Sequence, residues 1–262
     1  MSHLSLTASD VEVGSSTTGV KRFTTYHYPA QDHNTSLKEG VLLELGSRGG
    51  TYPTRTHMFR SMVADFAVTE LGEPEHTWDE FEPFRVRVLA PERTLLEKLA
   101  AVHDAAMRED TNALLKYGRH FYDIGQLLTT GLVIDALDAL GSEKVASLVD
   151  NINTHSHEAG LTWHPRPQVG YAASPAFDPN HATHAAIRTG FDAAQSLIHG
   201  PRVSLDEVFA IVSENRDRLE LLTTSIQTSS PEPAEQWGRS SCHLFMRVSK
   251  PVDKPSSNAH PH

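Results

Sequence analysis

The chain has 262 residues, 39% hydrophobic and 21% charged, with a formal charge of −10, one cysteine and 16 histidines. A single cysteine excludes an intramolecular disulfide framework and a thiolate zinc cage, and the acidic balance argues against bulk, sequence-independent binding of nucleic acid, although a local basic patch can still hold phosphates. No apolar run of 18 residues and no basic-then-apolar leader occurs, so neither membrane spanning nor secretion is expected, and a cytoplasmic protein without membrane contact is.

Residues 1–19 are rich in Ser, Thr and Gly without periodicity, and residues 225–262 are polar and rich in Pro and Ser, so both ends are expected to be disordered. Between them the first half, 20–90, reads as strands. Arg22–Tyr28 is aromatic and β-branched, Val41–Leu45 is short and apolar, and Phe84–Leu89 alternates with Phe84, Val86 and Val88 on one face. Gly46, Gly49, Gly50 and Pro53 interrupt the chain after the second strand, and Ser61–Glu70 fits either a short helix or a strand.

The second half, 91–224, reads as helices. Pro91 suits a first helical turn, Glu92 stands at the positive end of the dipole, and Leu95, Leu99, Val102 and Ala106 recur at helical spacing. A second helix is predicted over Asn112–Thr129, with Leu114, Phe121, Ile124 and Leu128 inward and Gly131 as its stop. Shorter helices are predicted over Val133–Leu140, Glu143–Asn151, Thr183–Ile198 and Ser204–Leu222, the last opened by the capping box of Ser204 and Glu207. The Pro-, Gly- and His-rich segment between Asn153 and Asn180 is a loop long enough to be either packed or functional.

Four side chains in the helical half and one in the strands carry candidate chemistry. Lys98 sits one residue before the buried Leu99, so its stem flanks the stripe and its ammonium reaches past it, as a phosphate-binding lysine or a surface lysine paired with a carboxylate. Arg119 and Asp123 are one helical turn apart, the spacing of a simple intrahelical ion pair, and Tyr122 lies between them. Two helices and a turn separate Lys98 from Asp123, enough chain to bring both to one cleft. Glu44 is a carboxylate inside the apolar strand VLLEL; it faces water on an edge strand, ligates a metal, or serves as a base on a sheet face. The clustered histidines at 155, 157, 164, 181 and 184 fall in loops or at a helix start without a partner cysteine, a poor basis for a transition-metal site. No P-loop, dinucleotide fingerprint, nucleophile elbow or zinc-protease motif occurs.

The run VLAPERTLLEKLAAVHDAA…GRHFYDIGQLL resembles the second half of the nucleotidyltransferase AbiEii toxins of type IV toxin–antitoxin and abortive-infection systems. VLLELGSRGG upstream, and RPQVGYAASPAF and SLDEVFAIVSENRDRL downstream, agree with that family in order, so the resemblance spans about Tyr26 to Leu222. It implies an α+β fold, with a truncated mixed β-sheet of nucleotidyltransferase type followed by a C-terminal helical bundle. It also implies that Lys98 contacts the triphosphate and that Arg119, Tyr122 and Asp123 form the Arg-x-x-Tyr-Asp motif, making Lys98 and Asp123 catalytic and Lys98, Arg119 and Tyr122 nucleotide-binding. Glu44 then matches a metal-binding sheet carboxylate for Mg²⁺. The partners implied are a nucleoside triphosphate, an RNA (tRNA included) or protein acceptor, and a cognate antitoxin.

One departure stands out. Family enzymes carry a Gly-Ser turn followed by an Asp-x-Asp metal pair, whereas here Gly14-Ser15-Ser16 is followed by no Asp or Glu from Thr17 to Ala30. A shortened N-terminus, weak nucleotide binding and little catalysis by the chain alone are therefore expected, with Mg²⁺ bound only where a complete site forms. The alternative is a non-catalytic interaction protein derived from the same family.

Overall fold

A computed structural model describes residues 7–14, 21–27, 40–46, 52–196, 198, 202–220 and 243–247. The chain divides into two compact units, Met1–Gly49 with Pro233–His262, and Gly50–Glu232. The first unit is an antiparallel sheet in the order β1 (Val11–Val13), β2 (Lys21–Tyr26), β3 (Val41–Gly46) and β6 (His243–Arg247). Two of its strands, β1 and β6, fall inside segments predicted from composition to be disordered; residues 1–6, 15–19, 225–242 and 248–262 of those segments lie outside the described residues. In register, Glu44 of β3 stands opposite Phe23 of β2 and Phe245 of β6. β3 is thus an interior strand, not the edge strand that would have let Glu44 face water freely.

The second unit holds the second sheet, β4 (Thr54–Phe59) paired antiparallel with β5 (Phe84–Leu89), and the helices. Both sheets are antiparallel throughout, where a mixed sheet was expected. The strand pair sits with the helices, so the division falls near Gly50 and not at residue 90. Strand β4 carries no clear alternation of its own and becomes a strand by pairing with β5, the two closed at one end by an edge-to-face contact of Phe59 and Phe84 at 5.3 Å. The ambiguous segment after it is a helix, α1 (Met62–Thr69), because the Ser61 hydroxyl caps it by accepting the Ala64 N–H at 3.1 Å.

Helix α2 (Pro91–Met107) is the spine of this unit. Leu95, Leu96, Leu99, Val102, Ala105 and Ala106 are fully buried along it, in a core shared with the later helices. Two charged residues at its start are buried as well. Glu92 takes both carboxylate bonds from the Arg55 guanidinium of β4, at 2.9 and 3.1 Å. Arg93 donates to Glu97 at 2.9 Å, to the Tyr52 carbonyl at 2.7 Å and to the Asn151 side chain at 2.9 Å. The start of α2 is thereby tied to the strand pair and to α5, and those buried charges are tolerated only because each is met by an opposite charge or a carbonyl.

The single helix predicted over Asn112–Thr129 is two, α3 (Thr111–Lys116) and α4 (Gly118–Thr129), with Tyr117 as the joint. The break lets Gly118 meet Gly190 of α6 (His184–Gln195) backbone to backbone. Helix α5 (Gly131–Glu158) is interrupted at Gly141, whose φ of 71° a side-chain-bearing residue adopts poorly; this is the gap foreseen between the helices at Leu140 and Glu143. After α7 (Leu205–Glu214) and a single turn α8 (Arg216–Leu219) the helical part ends. The capping box of α7 is present: the Ser204 hydroxyl accepts the Glu207 N–H at 3.2 Å and Glu207 accepts the Ser204 N–H at 2.6 Å. The long loop is packed, not free. Phe177 stacks edge-on between Phe121 and Phe209, at 5.8 and 5.7 Å. No single helix among the described residues is long and apolar enough to cross a membrane.

Candidate functional site

Helices α2 and α4 bury their apolar stripes against each other, and the residues flanking those stripes meet at the seam. Lys98 is adjacent to buried Leu99, and Asp123 is adjacent to buried Ile124. The Lys98 ammonium donates to the Asp123 carboxylate at 2.8 Å. It also lies 3.4 Å from Nδ1 of His120, which is one turn before Asp123 on α4 and is stacked on the Tyr117 ring at 4.9 Å. The pair is open on one side, with the side chains of Lys98 and Asp123 20% and 37% exposed. The ammonium is thus held in place by two neighbours while remaining accessible to an anion from solvent.

Of the other predicted residues, Tyr122 is half-buried against the core and Arg119 is exposed on α4, one turn from Asp123. The motif is therefore split between a packing tyrosine and two charged residues at the surface. Asp123 bonds across to α2, a tertiary contact that the intrahelical alternative did not require. His120 and Tyr117 were not singled out from the sequence; the only signal for them is the i, i+3 spacing from Tyr117 to His120 to Asp123. The role of Arg93 was equally illegible, because nothing in its sequence neighbourhood marks it as buried.

Glu44 belongs to the other unit, half-buried in β3, and makes no hydrogen bond or ion pair among the described residues. A Mg²⁺ ion takes six oxygen ligands and needs at least one or two carboxylates beside the substrate phosphates. Among the described residues no group of three or more His, Cys, Asp or Glu side chains could hold a metal.

A second polar cluster clamps the long loop to the end of α2. His103 is buried; its Nε2–H donates to the Pro165 carbonyl at 3.0 Å, which fixes the tautomer and leaves Nδ1 to accept the Ser174 hydroxyl at 2.9 Å. Burial holds this imidazole below its ordinary pKa, against the opposing pull of the Pro165 carbonyl. Beside it, burial alone would raise the Asp104 carboxyl, but hydrogen bonds from His164 at 2.7 Å, Arg108 at 3.0 Å and Thr162 at 3.2 Å outweigh it and hold the group below the usual range. Every member of this cluster is satisfied from within, which marks it as structural.

The helical part of this α+β chain thus presents a cross-helix Lys–Asp pair, with Arg119 one turn before Asp123 and Tyr122 next to it. The model of the nucleotidyl transferase AbiEii toxin family, type IV toxin–antitoxin system, matches residues 7–172, and the chain belongs to that family. It is a nucleotidyltransferase-like toxin of a type IV system, which implies the use of a nucleoside triphosphate and the existence of a cognate antitoxin. The match takes in both sheets' early strands and α1 to α5, and stops short of α6, α7 and α8. No curated protein and no solved structure matches the chain significantly.

Proposed function

We propose that this chain binds a nucleoside triphosphate at the seam of α2 and α4 in the cytoplasm and transfers its nucleoside monophosphate to an RNA acceptor, tRNA included, or to a protein hydroxyl. The observation that carries this reading is the convergence of Lys98 and Asp123 at 2.8 Å from two separate helices. A partly exposed ion pair is worth about 1 kcal/mol or less, so a multiply charged triphosphate displaces the carboxylate from the ammonium at little cost. Arg119, one turn away, adds a second positive charge for the same phosphates, and Tyr122 backs the helix that carries it. In the transfer, an acceptor oxygen attacks the α-phosphorus, the bond to the bridging oxygen breaks, and pyrophosphate leaves with the negative charge that Lys98 neutralises. Asp123, released from Lys98, orients the acceptor hydroxyl, whose proton passes to solvent as the new O–P bond forms.

A second reading, a non-catalytic binding protein derived from this family, is favoured by the lack of a carboxylate cluster among the described residues. One experiment separates the two. The full chain is incubated with α-labelled triphosphates and total RNA, with and without Mg²⁺, alongside Lys98→Ala and Asp123→Asn. Transfer that falls roughly 100-fold in both variants, as expected for loss of transition-state charge stabilisation, supports the enzyme. Triphosphate binding that depends on Lys98 without any transfer supports the second reading. Wild-type behaviour in both variants sinks both.

A further inference from the structure

Away from the Lys98–Asp123 pair, one face of α5 forms the floor of an open groove of about 430 Å³, lined by Asp150, Asn153, Thr154, His157 and Trp163. The four α5 residues recur at i, i+3, i+4 and i+7, a single helical face, and Trp163 comes from the loop that follows. Two features set this groove apart from an ordinary surface dent. Asn153 is only 8% exposed, yet its side-chain amide has no hydrogen-bond partner among the described residues. Its amide atoms still reach solvent in the groove, where a ligand can replace water as their hydrogen-bond partner. Trp163 leaves 38% of its surface open beside it, a large flat ring where a tryptophan would ordinarily be covered.

We propose that this groove binds an unpaired adenine base. Trp163 offers the stacking surface, and the Asn153 amide offers adjacent donor and acceptor atoms matching the N6 and N7 edge of adenine. The volume suits a base with its ribose. Asp150 is ion-paired with Arg166, Nε to carboxylate at 3.3 Å, so the acidic residue of the lining does not stand unopposed against an attached phosphate. The inference rests on the RNA-acceptor reading for its biological role: a single-stranded end held here would be the arm of the acceptor.

The test needs no transfer. Binding of fluorescein-labelled oligoadenylate of eight ribonucleotides to the full chain is followed by anisotropy in the absence of triphosphate, with oligouridylate as the base control and adenosine monophosphate as competitor. Saturable oligoadenylate binding is expected, weakened at least tenfold in Asn153→Ala and in Trp163→Leu and kept within about threefold in Trp163→Phe, each variant melting with the wild type. Competition by adenosine monophosphate at equal concentration assigns the slot to a free nucleotide, and its failure assigns it to a strand. Oligouridylate binding as tight as oligoadenylate, or affinity unchanged by both Asn153→Ala and Trp163→Leu, overturns the proposal. A chain that binds oligoadenylate but transfers nothing keeps this inference and removes the enzymatic reading.

Discussion

Replacing Gly118 with alanine tests whether the site depends on how closely α4 approaches α6. A methyl at Gly118 would stand on the carbonyl of Gly190, and one at Gly190 would come within 2.7 Å of the Leu115 carbonyl oxygen. Both sides of this contact are backbone, so no side-chain rotation can relieve it and the helices must part by roughly 1 Å. Overpacking of that kind, with backbone on both sides, costs about 3 kcal/mol, and the better helix propensity of alanine returns at most about 1 kcal/mol. A net loss of about 2 to 3 kcal/mol lowers the melting temperature of a unit this size by roughly 6 to 10 °C. Gly125, on the same helix, is the control: its added methyl would meet only the side chain of Val208, nearest at Cγ2 at 3.1 Å, which need give by just a few tenths of an ångström. Gly125→Ala should therefore shift the melt by less than about 3 °C. Because α4 also carries Asp123, an outward shift of about 1 Å should cost Gly118→Ala roughly 100-fold in Lys98-dependent activity below its melt. Thermal unfolding by circular dichroism and the labelled-transfer assay read the two effects. A Gly118→Ala protein that melts within about 2 °C of wild type, or below which Gly125→Ala melts, refutes the close-crossing argument.

Arg93→Met removes a buried cation that ties α2 to the Tyr52 carbonyl and Asn151, leaving both acceptors unmet. We expect a loss of about 3 kcal/mol in urea denaturation, with Arg93→Lys intermediate because an ammonium cannot span all three partners; an Arg93→Met chain as stable as wild type would place the anchorage elsewhere. His103 is held neutral by burial, so its folded pKa lies below the unfolded value of 6.5. Between those two values only the unfolded chain takes up the proton, and stability from this group is full above 6.5 and lost as pH falls below it. Asp104, shifted down as well, adds its loss only below about 4. Melting temperatures of wild type and His103→Gln between pH 7.5 and 5 should therefore converge as pH falls; parallel curves would mean that His103 does not contribute to the acid sensitivity.

Local periodicity already contains much of the helical half. The stripe Leu95, Leu99, Val102, Ala106, the proline at the start of α2, the break near Gly141 and the Ser204–Glu207 box all act over one or two turns, and each is where the sequence places it. Strand β4 and the joint at Tyr117 were not legible, because a strand without alternation is defined by its partner, and a helix break is defined by the glycine crossing it serves. Strands β1 and β6 were missed for the same reason, since each is three to five residues inside a segment that is polar as a whole, and becomes a strand by pairing with β2 or β3.

The residue types of the site, Lys98, Arg119, Tyr122 and Asp123, and the family they belong to, were determined by the sequence alone, since a motif is a matter of order and spacing. That Lys98 bonds Asp123 across two helices, that His120 joins them, that Arg93 is buried, and that Asn153 and Trp163 line one groove were decided only by tertiary structure. Helical spacing says which residues share a face, but which face meets which is set by packing between elements far apart in the chain, and hydrogen-bond partners follow from that packing.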